Sequence, residues 1–418
     1  MRLWLVMLPQ ALLVGAMAGC ADFEHQRTVR RAVADYYMGA YPQAIARLGP
    51  LAGDPDANFV LNNVRLGSAA LAFYDLDEAE TAFLRAYEVL NSFGVNNGGR
   101  TLGAILVSES IKVWRGEPFE QAMAHFYLGL VYYMRQDYQN ARAAFENALF
   151  KLRDYADEGS SNTKGDDRYR EQESDFAVAL VMLGKCWQRI GREDLARANF
   201  DRARQLRPAL ADLVDYRRNL ESNVLLVVDY GYGPQKVTTF DGAIVGFAPK
   251  PPEAGPIHPP RIRVDGKAVD LGAAACPPVD LLALAQDRRW QSIDTIRAIK
   301  SAVGTGLIAA GAYQGMRRHG DGTAALILLG AGLLLKATSQ ADMRQWEMLP
   351  RTTFLIPLRV APGNRDIVVE FGGHESYVQT WRGLPVGARG ETTFYMRMAR
   401  YLSGEYTWPP PPVAQSAP

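Results

Sequence analysis

Apolar residues recur at helical spacing from Arg27 to about Asn223, and beyond that point the period shortens to that of strands. Val224 to Val228 is a wholly apolar run of strand length, and Val237-Thr238-Thr239-Phe240 follows across the turn Gly231-Tyr232-Gly233-Pro234. Ile262 to Val264, Thr353 to Val360, Asp366 to Phe371 and Thr392 to Met398 read the same way, parted by the turn residues Pro362-Gly363-Asn364 and Gly372-Gly373. A helix is expected from about Pro278 to Ala302, ahead of the last three strands. The predicted fold class is therefore α+β, with a helical region over 27–223 and a β-rich region over 224–402 built as a small sandwich or sheet.

Within the helical region one set of positions repeats. Leu183-Gly184, Trp187, Ala196, Phe200, Ala203 and Pro208 recur as Leu128-Gly129, Tyr132, Ala141, Phe145 and Ala148, and again as Leu66-Gly67, Ala79, Phe83 and Ala86. Small residues at these offsets let two antiparallel helices approach closely, while the Leu and aromatic positions fill the seam. The set resembles the tetratricopeptide (TPR) repeat, a helix pair that stacks into a solenoid. A weaker repeat with Tyr37, Gly39, Ala44 and Leu48 is expected to open the array as its cap.

The spacing is irregular. Gly67 and Gly129 lie 62 residues apart and Gly129 and Gly184 lie 55 apart, against about 34 for a regular repeat, so two insertions are expected. The second, roughly 154–174, is rich in Asp, Gly, Ser and Asn and reads as a solvated loop. The first, 91–121, opens with Asn96-Asn97-Gly98-Gly99 and then carries an apolar-periodic segment, Leu102 to Trp114, that predicts an extra helix. Glu117 and Glu120 around Pro118 read as a helix start. Because TPR stacks bind peptides on a concave face, Trp114 and Phe119, together with Tyr132, are candidates for lining a partner groove. The same aromatics would also plug the gap left by an irregular repeat.

Residues 303–341 differ from the rest of the chain. Gly304, Gly306, Gly311 and Gly315 stud one arm, the polar turn Arg317-Arg318-His319-Gly320-Asp321-Gly322 follows, and Thr323 to Leu335 is almost wholly apolar with Gly330 and Gly332. Each Gly costs a helix up to about 1 kcal/mol against Ala, so close packing must offset them, and a Gly-rich helical hairpin inserted in the β-rich region is expected. Each arm has about 14 residues, roughly 20 Å of helix, short of the approximately 20 residues that a membrane span needs. Burial against the sheet, self-association into an oligomer and insertion into a membrane all remain open. After Trp408, Pro409 to Pro412 predicts an extended, disordered tail over 403–418.

At the other end, Met1 to Cys20 combines Arg2, an apolar stretch from Leu3 to Ala16 and the small-residue ending Met17-Ala18-Gly19-Cys20. This resembles a bacterial lipoprotein signal peptide with its lipobox. The resemblance implies removal of residues 1–19, lipidation of Cys20 with fatty acyl chains such as palmitate, and a tether over 20–26. Two acyl chains hold a protein on a bilayer, at about 0.8 kcal/mol per buried methylene. Ala21 follows Cys20 and Asp22 comes only next, so the inner-membrane retention signal of enteric lipoproteins is absent. An outer-membrane, periplasm-facing location is expected, with the periplasmic face of the inner membrane as the alternative.

Composition narrows the chemistry. With 418 residues, 48% hydrophobic and 22% charged, the chain has the makeup of a folded protein of two or three domains. Lys plus Arg number 46 against 45 Asp plus Glu, which leaves no bulk drive toward nucleic acid, and no nucleic-acid partner is expected. Besides Cys20 there are only Cys186 and Cys276, too few for a disulfide scaffold. No Cys or His pair has zinc spacing, so no metal or cofactor is expected. Without a nucleophile elbow, phosphate loop or HExxH motif, no catalytic residue is assigned and an enzyme is not expected.

Gln340 to Pro350, with Leu226 to Lys236 and Trp114 to Glu120, resembles a family of bacterial TPR-containing lipoproteins that carry Asp-x-Arg-x-Trp-x-x-Leu-Pro after a Gly-rich stretch. The resemblance covers nearly the whole mature chain and implies association with envelope or peptidoglycan-synthesis lipoproteins. Asp342 and Arg344, two apart, cannot pair across one helix face, so each is expected to fix a different element, with Trp346 packed below as part of a structural clamp. The expected function is a lipid-anchored periplasmic scaffold that docks an envelope protein or peptide on its TPR surface. The alternative is a membrane-active or export component whose Gly-rich hairpin inserts or oligomerises.

Overall fold

The computed structural model describes residues 23–92, 113–152, 176–239, 244–250, 256–287, 342–372 and 377–409. Cys20, the solvated insertion at 154–174, residues 102–112, the second half of the helix expected up to Ala302 and the Gly-rich hairpin all lie outside the described residues.

The helical half consists of stacked helix pairs. Helix α1 (23–37) precedes α2 (Tyr41–Gly53), α3 (Phe59–Phe73) precedes α4 (Leu76–Ser92), α5 (Pro118–Met134) precedes α6 (Tyr138–Lys151), and α7 (Ala177–Ile190) precedes α8 (Glu193–Leu206). In three pairs a Gly of the first helix faces a Phe of the second, sixteen residues on. A Cβ added at Gly67, Gly129 or Gly184 would stand 2.8, 2.7 or 2.3 Å from the ring of Phe83, Phe145 or Phe200. Only hydrogen fits there, which offsets the helix cost of Gly. In the opening pair the buried Ala32 and Leu48 hold the same two offsets with one larger and one smaller residue. Residues 23–26, expected in the tether, form the first turns of α1 instead.

The two helices of each pair differ in burial. Helix α8 buries one stripe, Ala196, Phe200 and Ala203, and turns its charges to solvent. By contrast α3, α5 and α7 are buried on nearly every side. A helix that is apolar all round needs neighbours on both faces, and the second neighbour here is a β-sheet.

The strands are β1 (Val224–Tyr230), β2 (Gln235–Thr239), β3 (Ile244–Ala248), β4 (Arg261–Val264), β5 (Lys267–Val269), β6 (Thr352–Leu358), β7 (Gly363–Phe371), β8 (Tyr377–Val386), β9 (Thr392–Met398) and β10 (Gly404–Thr407), with short helices α9 (Tyr216–Glu221) and α10 (Leu281–Gln286). They form a three-stranded sheet in the order β6-β1-β9, a five-stranded sheet in the order β10-β8-β7-β4-β5, and the ribbon β2-β3. β1 runs antiparallel to β6 and parallel to β9.

Alternation along these strands sorts the layers. Leu225, Val227, Leu355 and Tyr395 share a core with the helices. Val224, Leu226, Val228, Phe354, Ile356 and Phe394 meet Ile367, Val369, Trp381 and Leu384 of the five-stranded sheet. The expected sandwich is thus the outer part of three layers, with the three-stranded sheet buried on both faces. That double burial explains why Val224 to Val228 is apolar without alternation.

The free edge of β9 is finished by side chains. The Tyr74 hydroxyl donates to Tyr395 O at 2.6 Å and accepts from Tyr395 N at 2.9 Å, and Gln379 Nε2 donates to Arg397 O at 2.6 Å. Tyr74 reaches this position from a left-handed conformation (φ 65°) that ends α3. The tail departs from expectation. Its first part forms β10 beside β8, with Tyr406 stacked on Trp381 at 4.9 Å and Trp408 edge-on to Tyr74 at 4.8 Å, so aromatic packing orders it. Residues 410–418 lie outside the described residues.

Candidate functional site: the inner face of the helical array

Residues 342–350 run without helix or strand as a strap across the first helices of the pairs. Arg344 Nη1 donates to Ala57 O at 2.6 Å and to Asn58 Oδ1 at 3.1 Å, while its Nη2 holds Asp342 at 2.6 Å. Asp342 and Arg344 therefore do pair, contrary to expectation, because the segment is not a helix and neighbours two apart can close a ring. Trp114 Nε1 donates to Arg344 O at 3.1 Å. The Trp346 backbone N–H donates to Glu120 Oε1 at 2.7 Å, and its indole N–H donates to Ser68 Oγ at 3.1 Å. Its ring lies beside Tyr127 and Phe83, with centroids at 5.7 and 6.3 Å. Glu347 takes a two-pronged ion pair from Arg65, at 2.9 and 2.7 Å, and its carbonyl accepts from the Tyr37 hydroxyl.

Three buried polar nodes tie the same helix face to the chain's second half. On β1, Asp229 accepts hydroxyls from Tyr127 at 2.5 Å, Tyr395 at 2.8 Å and Thr353. Burial raises this carboxyl, and Arg397 and the three hydroxyls oppose the rise. Arg397 in turn donates to Asp229 O, Gly231 O and the Tyr36 hydroxyl.

Glu391 forms the second node. It binds Lys185 Nζ at 2.9 Å, Arg189 Nη2 at 3.0 Å, Ser222 Oγ at 2.7 Å and the Tyr133 hydroxyl at 2.8 Å. Burial alone would raise its carboxyl, but the two cations outweigh that and hold it low.

The third node opens α5. Glu120 Oε2 accepts from Glu117 N at 2.7 Å, closing a capping box with Pro118 in the first turn, and Lys236 Nζ pairs with Glu117 at 3.0 Å. Desolvation pushes the Glu120 carboxyl up to about 7, against the pull of Lys236 and of the Glu117 and Trp346 N–H groups.

Of the sequence candidates, Asp342, Arg344 and Trp346 come together in the strap. Trp114 is buried beneath it, and Phe119 is buried edge-on to Phe247 at 5.4 Å. Tyr132 sits apart, half-buried near the end of α5 beside Glu80, where burial pushes its hydroxyl up to about 12. Sequence reasoning missed Tyr36, Arg65, Tyr127, Lys185, Asp229, Glu391 and Arg397. The available signal was a charged or hydroxyl residue inside an apolar run, as with Lys185 in AVALVMLGKCW and Asp229 after Val228.

The strap also fixes one end of 288–341. Gln286 Nε2 donates to Phe247 O at 2.9 Å, and Lys236 Nζ donates to Asp342 O at 2.9 Å. Lys236 and Phe247 are register partners in the β2-β3 ribbon. The chain therefore leaves and re-enters the described fold at one place.

Among the described residues no helix is long and apolar enough to cross a membrane, and no group of three or more His, Cys, Asp or Glu is placed to hold a metal ion. A family model for the tetratricopeptide repeat matches residues 122–155, a span that takes in most of α5 and all of α6. Two crystal structures of MamA are similar at 16% and 17% identity, covering 46% of this chain in each case and 80% and 78% of those chains, with TM-scores of 0.30 and 0.31. TTC0263, a thermophilic TPR protein in Thermus thermophilus, is similar at 16% identity, covering 44% of this chain and 92% of that one, with a TM-score of 0.21. No curated protein matches the sequence.

Proposed function

We propose that this protein is a lipid-anchored scaffold on the periplasmic face of the bacterial outer membrane, where its helical array docks an envelope protein. TPR arrays are interaction scaffolds, and their concave face is the usual peptide site. The observation that carries the reading is the stack of TPR-like helix pairs; its inner side is filled by the chain's own strap and three-stranded sheet. The array is thereby locked as one body, and a partner meets its outward surfaces, chiefly the half-exposed α2, α4, α6 and α8. The lipid anchor in this reading is Cys20, supported by the lipobox-like ending of the leader.

The test is site-specific photo-cross-linking in intact cells from exposed positions on α8, such as Asp201, with strap position Trp346 as the buried control. A single protein partner cross-linked from α8 and not from Trp346 is expected. Absence of any protein adduct from the outward helices would sink the scaffold reading. Loss of the chain from the membrane fraction on Cys20→Ser tests the anchor separately.

A membrane-active or export component is the second reading, favoured by the common exit and entry point of 288–341 on the β2-β3 ribbon. It requires the Gly-rich stretch to insert or self-associate. Deleting 303–335 should then leave a folded, membrane-attached protein that no longer assembles; a deletion protein that assembles normally removes this reading.

A further inference from the structure

We propose that the exposed stripe of α1 lies on an anionic lipid surface and sets the orientation of the array above it. Phe23, Arg27, Arg30, Arg31 and Ala34 are exposed along one side of α1, and Met38 continues that side in the turn after it, while Val29, Ala32 and Tyr36 turn into the core. The stripe is about 22 Å long at helical rise. Its ends are apolar and unusually bare, with Phe23 61% and Met38 63% exposed. Its middle is basic: Arg27 makes only a long pair with Glu24, at 3.7 Å, and neither Arg30 nor Arg31 has an ionic partner among the described residues. Leu402 packs beside Gly39, and Tyr401, the residue before it, is 56% exposed.

This combination fits one occupant. Guanidinium groups bind phosphate oxygens in two-pronged fashion, and Phe, Met and Tyr at the rim of such a row gain by entering the headgroup boundary. The whole chain carries a net charge of only +1, so attraction to anionic phospholipid has to come from a local basic patch such as this stripe. The inference rests on the lipid anchor proposed for Cys20, which would place Phe23 three residues, about 10 Å of extended chain, from the bilayer. With the anchor at one end and the stripe lying flat, α1 becomes the base of the array and the α8 end projects away.

The experiment uses the chain from Ala21 onward, which retains every described residue and lacks both leader and acyl group. Co-sedimentation is measured with phosphatidylcholine vesicles and with phosphatidylcholine containing phosphatidylglycerol, at low and high salt. Binding to the anionic vesicles alone, weakened at least about tenfold by the triple change Arg27→Gln, Arg30→Gln, Arg31→Gln and by high salt, is expected. Phe23→Ser with Met38→Ser should weaken it as well, with unchanged circular dichroism. Equal binding by the triple variant, or no binding to anionic vesicles, overturns the proposal; capture of an acidic peptide in place of vesicles would assign the stripe to a protein instead and equally overturn it. Mass spectrometry of Cys20 in the chain from membranes reports the anchor independently, so a missing acyl group with intact vesicle binding removes the anchor and leaves the stripe.

Discussion

The backbone N–H of Trp346 is held by the carboxylate of Glu120 at 2.7 Å, with both residues 2% exposed. Burial of this carboxyl favours proton uptake, and the Trp346 N–H opposes it. Burial raises Glu120 from 4.5 to about 7, so between those values the folded chain binds the proton that the unfolded chain releases. The group's contribution is fully present below pH 4.5 and is lost as pH rises through 7, by about 1.4 kcal/mol per unit at most. Because other groups titrate in the same window, the test is a difference: urea stability of the wild type relative to Glu120→Gln should fall as pH rises from 4.5 to 7.

His125 titrates with the opposite sign. Its ring is buried edge-on to Tyr87 at 5.0 Å, and neither nitrogen has a hydrogen-bond partner among the described residues. Burial, with Lys151 nearby, lowers it from 6.5 to about 3. The fold is therefore stable toward this group above pH 6.5 and loses about 1.4 kcal/mol per unit as pH falls from 6.5 toward 3. His125→Phe should remove that acid loss, read as a Tm that rises relative to the wild type as pH is lowered from 7 to 5.

The seams between paired helices leave no room at their glycines. Gly184→Ala should destabilise by about 1–3 kcal/mol, even after the better helix propensity of Ala, because the Phe200 ring must move. Adding Phe200→Leu should restore most of the loss. Gly53→Ala at the end of α2 meets nothing within 4 Å and should instead gain about 0.5 kcal/mol. Thermal unfolding of the four proteins separates the signs.

Glu391 balances two cations in a dry site. Glu391→Gln leaves Lys185 and Arg189 uncompensated and should cost about 3–5 kcal/mol. Removing the buried amine together with the acid, in Glu391→Gln with Lys185→Met, should cost less than the sum of the single changes. A double-mutant cycle of urea midpoints checks this, and strict additivity would mean that the node is not coupled.

The helix pairs were legible because their packing is local: Gly and Phe sixteen residues apart must meet once two helices are joined by a short turn. The start of α5 was legible for the same reason, from Glu117, Pro118 and Glu120. Strand β8 was not. Gln379 occupies a buried position where alternation calls for an apolar side chain, and Gly383 and Pro385 imitate a turn. Nor did local pattern show that the second half covers the first helices of the pairs. That information sits in single polar residues, Lys185 against Glu391 and Arg65 against Glu347, whose partners lie 206 and 282 positions away. The Asp342–Arg344 pair was misread by assigning a helical geometry to a stretch that has none.

The middle sheet also has a consequence for biosynthesis. β1 is paired on one side with β6 and on the other with β9, both encoded far downstream. As the chain emerges from its N-terminus, α3, α5 and α7 appear with their inner sides bare, and the cover that β1 begins is not complete until the strap, β6 and β9 have followed. A product that stops short of β9 lacks Glu391 and Arg397, so it presents two stranded cations and an apolar trough to chaperones and proteases. The order of strands thus makes closure of the middle sheet one of the last steps that synthesis allows.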